Sequence, residues 1–190
     1  FLSRIASTAY GASNTFILGF VYSNADLAQF GVANTLISSA RVIFSPIADS
    51  LYPYMVNKKN YKLVKRLLFV AVPLILIGTA ILFIFAEEII VLVCGADFSG
   101  VVPIFKAMLP ILLITLPIYL LGFPVLGAMG KMKEANMSVV YAALFHVLGL
   151  FVLHFTGNLQ FIAVAYLTCV SESVMLLLRI YYILKEKGRR

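Results

Sequence analysis

Charge is scarce in this sequence. Asp, Glu, Lys and Arg make up 12% of the 190 residues, while 62% are hydrophobic. A soluble domain carries about 25% charged and about 45–50% apolar residues. A chain with half the usual charge cannot cover a water-facing surface, and one this apolar does not stay disordered. Cysteine is nearly absent too: Cys94 and Cys169 stand alone, with no CxxC and no neighbouring His. That excludes a disulfide framework and a cysteine-based metal site, and both read as small apolar fillers. Tryptophan is missing, whereas Phe and Tyr are plentiful. The start, Phe1, lacks the basic region, short apolar core and cleavage site of a signal peptide, so the chain reads as a piece of a longer polypeptide.

What remains is long apolar segments, the mark of a polytopic membrane protein. Crossing a hydrocarbon core takes about 20 apolar residues as helix. Six segments qualify, at roughly 1–22, 26–55, 64–86, 103–129, 136–156 and 159–184, followed by a basic tail over 185–190. No alternation with period two appears, which argues against a barrel. The expected fold is therefore an all-α, six-helix transmembrane unit, in which each helix satisfies its own backbone. The second segment is too long for one straight crossing, and Pro46 and Pro53 are the expected breaks. In the fourth, Pro103, Pro110, Pro117 and Pro124 recur every seven residues, which predicts a bent helix or a hinge. Residues 87–95 read as a short interfacial helix ended by Gly95.

The net charge of +7 indicates orientation rather than nucleic acid. Lys58, Lys59, Lys62, Lys65 and Arg66 fall on one side with Lys131, Lys133 and the tail, and Arg4 begins the first helix there. Asp26, Glu87, Glu88 and Asp97 fall on the other side, with Lys106. By the positive-inside rule both ends are cytoplasmic.

Polar residues recur where lipid would be expected. Ser3, Ser7, Tyr10 and Asn14 follow a four-three-four spacing in the first helix, with Arg4 in the adjacent stripe. Asn34, Ser38, Arg41 and Ser45 repeat that spacing in the second, and Asp49 and Tyr52 extend the line. Two such stripes predict one wall of an aqueous cavity, with helix–helix packing through small residues as the alternative. Arg4 either joins this wall or snorkels to the interface. Arg41 has no acid at positions 37, 38, 44 or 45. It therefore needs water, an anion or a counter-charge, because a charge near mid-bilayer costs about 2.5–3.5 kcal/mol on insertion scales. His146 and Glu172 lie near the middles of consecutive helices, at similar depth. They are expected to share a pocket, as a proton relay or as a buried polar pair. No phosphate loop, HExxH, GxSxG or Cys/His cluster is present, so neither an enzyme, a cofactor nor a metal is expected.

A family resemblance rests on Arg4-Ile5-Ala6-Ser7 with Asn14-Thr15-Phe16-Ile17-Leu18-Gly19, and on Leu51-Tyr52-Pro53-Tyr54-Met55 before a basic loop. Glu88-Ile89-Ile90-Val91-Leu92 leading to Gly95, and Gly130-Lys131-Met132-Lys133-Glu134, complete it. In that order they resemble the C-terminal half of bacterial polysaccharide (O-antigen, Wzx-type) flippases, of the multidrug/oligosaccharidyl-lipid/polysaccharide (MOP) exporter superfamily. The resemblance implies twelve helices in two six-helix lobes, this chain being the second and the N-terminal lobe of the same polypeptide its partner. It implies alternating-access transport of an undecaprenyl-pyrophosphate-linked oligosaccharide across the bacterial cytoplasmic membrane, among membrane lipids. The implied cavity lining is Arg4, Ser7, Asn14, Asn34, Ser38, Arg41 and Ser45, where arginine suits a pyrophosphate. The alternatives are a multidrug exporter lobe of the same superfamily, which would place acids in the cavity, and a membrane-embedded assembly or scaffold subunit, in which the stripes are dry.

Overall fold

A computed structural model describes residues 2–188, except for the side chains of 2–4 and 7–9. Arg4 and Ser7 therefore lie outside the described residues as far as their side chains go. The described chain is helical, without strands. In order it forms α1 (Leu2–Leu18), α2 (Asn24–Val42), α3 (Ser45–Lys58), α4 (Tyr61–Ile84), α5 (Ala86–Cys94), a 3-10 turn (Ala96–Phe98), α6 (Val101–Met108), α7 (Pro110–Leu120), a π segment (Leu121–Gly127), α8 (Met132–Phe155) and α9 (Phe161–Lys187).

Five stretches are long and apolar enough to cross a membrane: Asn24–Lys58, Tyr61–Ile84, Val101–Gly127, Met132–Phe155 and Phe161–Lys187. This is a polytopic membrane architecture. The expected sixth span, α1, has 17 residues, about 26 Å of helix against a hydrocarbon core of about 30 Å. The outer surface is inside-out relative to a soluble domain. Phe69, Leu74, Ile77, Leu148, Phe155, Leu177 and Leu184 all project outward, as lipid contact requires and water would penalise.

Local breaks follow the prolines, though not all of them. Pro46 sits in the first turn of α3, just after the interruption at Ile43–Phe44. Its missing N–H costs nothing there. Pro53 stays inside α3 without ending it, so the expected second break is absent. Pro103 lies within α6, Pro110 opens α7, Pro117 lies inside α7, and Pro124 falls in the π segment. Together they make Val101–Gly127 a segmented rod, with Gly122 outside helical geometry at φ −69°, ψ −111°. Gly95 ends α5 at φ 96°, where a Cβ would be strained.

α9 is the central element. It packs on α6, α7, the π segment and α8, while α1 leans on α8 and α2 on α6. α1 and α2 touch little, and so leave a gap whose floor is α7 and α9. At one end of the bundle Lys131 reaches Glu186 at 3.1 Å and Glu134 at 3.8 Å. At the other, Tyr22 donates to the Leu159 carbonyl at 2.8 Å. The basic loop after the π segment and the basic end of α9 thus share one side.

Candidate functional site

The gap is a cavity of about 870 Å³. Asn14, Asn34, Ser38, Arg41 and Ser45, five of the seven residues expected from the two stripes, line it. The helical period explains why: spacings of four, three and four keep a residue on one face, and the neighbouring face supplies the packing. In α2 that packing face is Phe30, Ala33 and Ile37, all buried. Asn34 and Ser38 are exposed to the cavity, whereas Asn14 is buried at 6%. Ser45 donates to Asp49 at 3.0 Å, which settles Asp49 on its own helix rather than on Arg41.

Arg41 is not unpartnered. Its Nη2 donates to Glu172 Oε1 at 2.9 Å, with the arginine side chain 21% exposed and the glutamate 4%. The counter-charge absent from α2 comes from α9, 131 residues later. Nothing in local sequence spacing could reveal it. Glu172 is thereby committed to Arg41 and makes no bond with His146. The expectation that these two form a pair is corrected: they are neighbours in one polar layer, joined through the chain at Ser171.

His146 is fully buried and held from both sides. Its Nε2 lies 2.7 Å from Asn14 Oδ1, and its Nδ1 lies 3.0 Å from Ser171 Oγ. The Asn14 amide nitrogen donates to Thr168 Oγ at 3.3 Å, and Thr168 donates to the Val164 carbonyl at 2.8 Å. Thr168 has no second proton to give, so Asn14 Oδ1 accepts and Nε2 carries the ring proton. Ser171 Oγ lies within reach of both Nδ1 and the Leu167 carbonyl, 2.7 Å away. The Tyr10 ring meets the His146 ring edge-on at 4.5 Å. This layer ties α1, α8 and α9 together, and each member has a partner, as burial of polar groups demands.

The spacing of Thr168, Glu172 and Arg179 puts all three on roughly one face of the last helix, and Arg179 falls there. It lies two turns beyond Glu172 on α9 and is buried at 6%. Its Nε donates to Ser138 Oγ at 3.0 Å, and Nη1 donates to the Ile118 carbonyl in the last turn of α7. A cation there is favoured by the helix dipole. Tyr119 and Arg179 also line the cavity. What spacing could not supply is the partners of Arg179, Ser138 on α8 and Ile118 on α7. Among the described residues no group of His, Cys, Asp and Glu could hold a metal ion. Cys169 donates to the Ala107 carbonyl at 3.4 Å.

Comparison with family models, with curated proteins and with solved structures returns no match for this chain. The cavity must therefore be read from its own chemistry. If it is wet, cysteines placed at Asn34 and Ser38, with Cys94 and Cys169 replaced, react readily with a water-soluble thiol reagent in intact membranes. A cysteine at Asn14 reacts at least about tenfold more slowly, because its position is closed off, and one at Phe69 on outward-facing α4 stays unlabelled. Equal silence at 34 and 38 would identify the stripes as a dry packing surface.

Proposed function

We propose that the chain is one lobe of a membrane transporter that carries a lipid-linked oligosaccharide, of the undecaprenyl-pyrophosphate kind, across the cytoplasmic membrane by alternating access. α1 then acts as a sixth, short span. A second six-helix lobe of the same polypeptide closes the other side of the cavity, giving twelve helices. The observation that carries this reading is the composition of the cavity wall. Exposed amide and hydroxyl groups at Asn34 and Ser38 line one cavity with Arg41 and the buried Arg179 of α9, within a bundle whose outer face is apolar. Hydroxyls and amides suit a glycan, guanidinium suits a diphosphate, and the exposed Val42 and Phe123 suit the lipid chain. The resemblance of the sequence to polysaccharide flippases supports the same assignment. A multidrug exporter would need an acid free to meet a cationic drug: Glu172 is bonded to Arg41, which leaves the exposed Asp49, held by Ser45, as the acid that alternative would use. The basic loops support, by the positive-inside rule, a reading with both ends of the chain in the cytoplasm.

The test is translocation by the complete polypeptide in proteoliposomes loaded with a radiolabelled undecaprenyl-pyrophosphate oligosaccharide. The fraction of glycan reachable by an external glycosidase rises with time if the reading is right. No movement of the glycan, together with export of a cationic dye, would replace it by the multidrug alternative. Reporter fusions after residues 60 and 133 score cytoplasmic if the orientation is right, and periplasmic activity at 60 would reverse it.

A further inference from the structure

The Arg41–Glu172 pair is made end-on. One contact, Nη2 to Oε1, joins them, where a guanidinium and a carboxylate meeting squarely make two parallel bonds. Arg41 Nε is buried with no hydrogen-bond partner, a state that disfavours the arrangement. The arginine is thus neutralised but only partly satisfied, in a wall where its fork could serve something larger. Arg179 stands about 10 Å along α9 from Glu172, by helix rise, and lines the same cavity. Its bonds to Ser138 and Ile118 use Nε and Nη1, and neither uses Nη2.

The charged and titratable groups around Glu172 are few. Arg41 faces it from α2 and Tyr10 from α1, while Arg179 and Cys169 share its helix. Tyr119 of α7 faces both arginines. His146 of α8 turns instead to Asn14 and Ser171. Glu172 is the acid bonded to a guanidinium here; Asp49 of α3, the other acid of the cavity wall, accepts from Ser45 on its own helix. Without the charge of Glu172, Arg41 and Arg179 line the cavity with no carboxylate bonded to either.

We propose that Glu172 is a built-in counter-anion: in the empty cavity it holds Arg41 in place of a ligand, and a diphosphate-bearing lipid displaces it to bridge Arg41 and Arg179. The inference rests on the transport reading above and assigns the residues that take the head group. Displacement frees the Arg41 guanidinium to turn, so that Nε finds an acceptor. Two requirements follow. The site rejects weak anions, which cannot outcompete a carboxylate already in place. It also empties again after transport, because Glu172 is at hand to reclaim Arg41. A permanent structural ion pair behaves in the opposite way: weakening it gains nothing for any ligand.

The experiment measures binding of farnesyl diphosphate, inorganic pyrophosphate and farnesol to the complete polypeptide in nanodiscs by calorimetry. Glu172→Gln keeps the shape and an acceptor for Arg41 but removes the competing charge. Its affinity for farnesyl diphosphate rises on the order of tenfold. Glu172→Asp, which withdraws the carboxylate by one methylene, gives a smaller rise of the same sign, and covers the case in which Glu172→Gln does not accumulate. Adding Arg41→Gln to Glu172→Gln cancels the gain. Farnesol binds all forms alike. If wild type binds farnesyl diphosphate and neither Glu172 variant binds it more tightly, the counter-anion role is overturned while the lipid-diphosphate reading stands. If the variants gain for inorganic pyrophosphate and show no preference for the prenyl form, the counter-anion role stands and the lipid carrier is lost. Absence of diphosphate binding in every form overturns both.

Discussion

If the chain transports a lipid diphosphate as proposed, replacing Arg41 by alanine lowers transport to below about a tenth of the wild-type rate, and replacing it by lysine leaves a measurable fraction. Lysine keeps the charge but not the planar fork that grips a phosphate. Alanine removes both, and does a second thing. Glu172 loses its partner while remaining 3% exposed, and breaking a buried pair on one side destabilises by about 3–5 kcal/mol. A fall in protein level is thus expected in Arg41→Ala, and lost export alone would not identify a ligand role. The double variant Arg41→Ala/Glu172→Gln separates the two effects. Glutamine needs no cation, so abundance in the membrane returns. The guanidinium is still missing, so glycan export does not. Export restored together with abundance would make Arg41 a structural residue and sink the proposed site.

The same residue marks where the sequence stops being legible. The two polar stripes were readable because a helix repeats every 3.6 residues, and Asn34, Ser38 and Arg41 duly share one cavity wall. Apolar length is equally local: five of the six expected spans are long and apolar enough to cross a membrane, and α5 ends at Gly95 as expected. Glu172 as the partner of Arg41, and Asn14 as the partner of His146, lie 131 and 132 positions away. Such pairings depend on how α1, α2, α8 and α9 cross, which no spacing along one helix encodes. Proline gave a mixed signal for a physical reason. At the start of a helix its ring fits, as at Pro46 and Pro110. Inside α3 and α4, Pro53 and Pro73 are carried without a break, because neighbouring groups can absorb one missing bond. Spacing places Arg179 on the face of Glu172, but its partners Ser138 and Ile118 lie on other helices and no spacing along α9 encodes them. The burial of Arg179 follows from the departure of the chain at Gly122.

That departure sets the last expected result: Gly122→Ala lowers the thermal stability of the solubilised protein, by about 2–4 kcal/mol, whereas Gly149→Ala does little. A Cβ on Gly122 would sit 2.5 Å from Arg179 Nη1 and 3.0 Å from Cζ. The guanidinium cannot yield, since Ser138 holds it through Nε and the Ile118 carbonyl through Nη1. Moving it strands a charge at 6% exposure and uncaps the end of α7. A Cβ on Gly149 would also find an atom at 2.5 Å, but that atom is Leu167 Cδ1, the free end of a side chain that can change rotamer. Equal crowding therefore has unequal consequences. A double-mutant cycle gives the decisive measurement. Arg179→Gln shortens and discharges the side chain, so adding Gly122→Ala to it costs much less than adding Gly122→Ala to wild type. Strict additivity of the two changes in unfolding midpoint would mean that the glycine is not there to make room for the arginine.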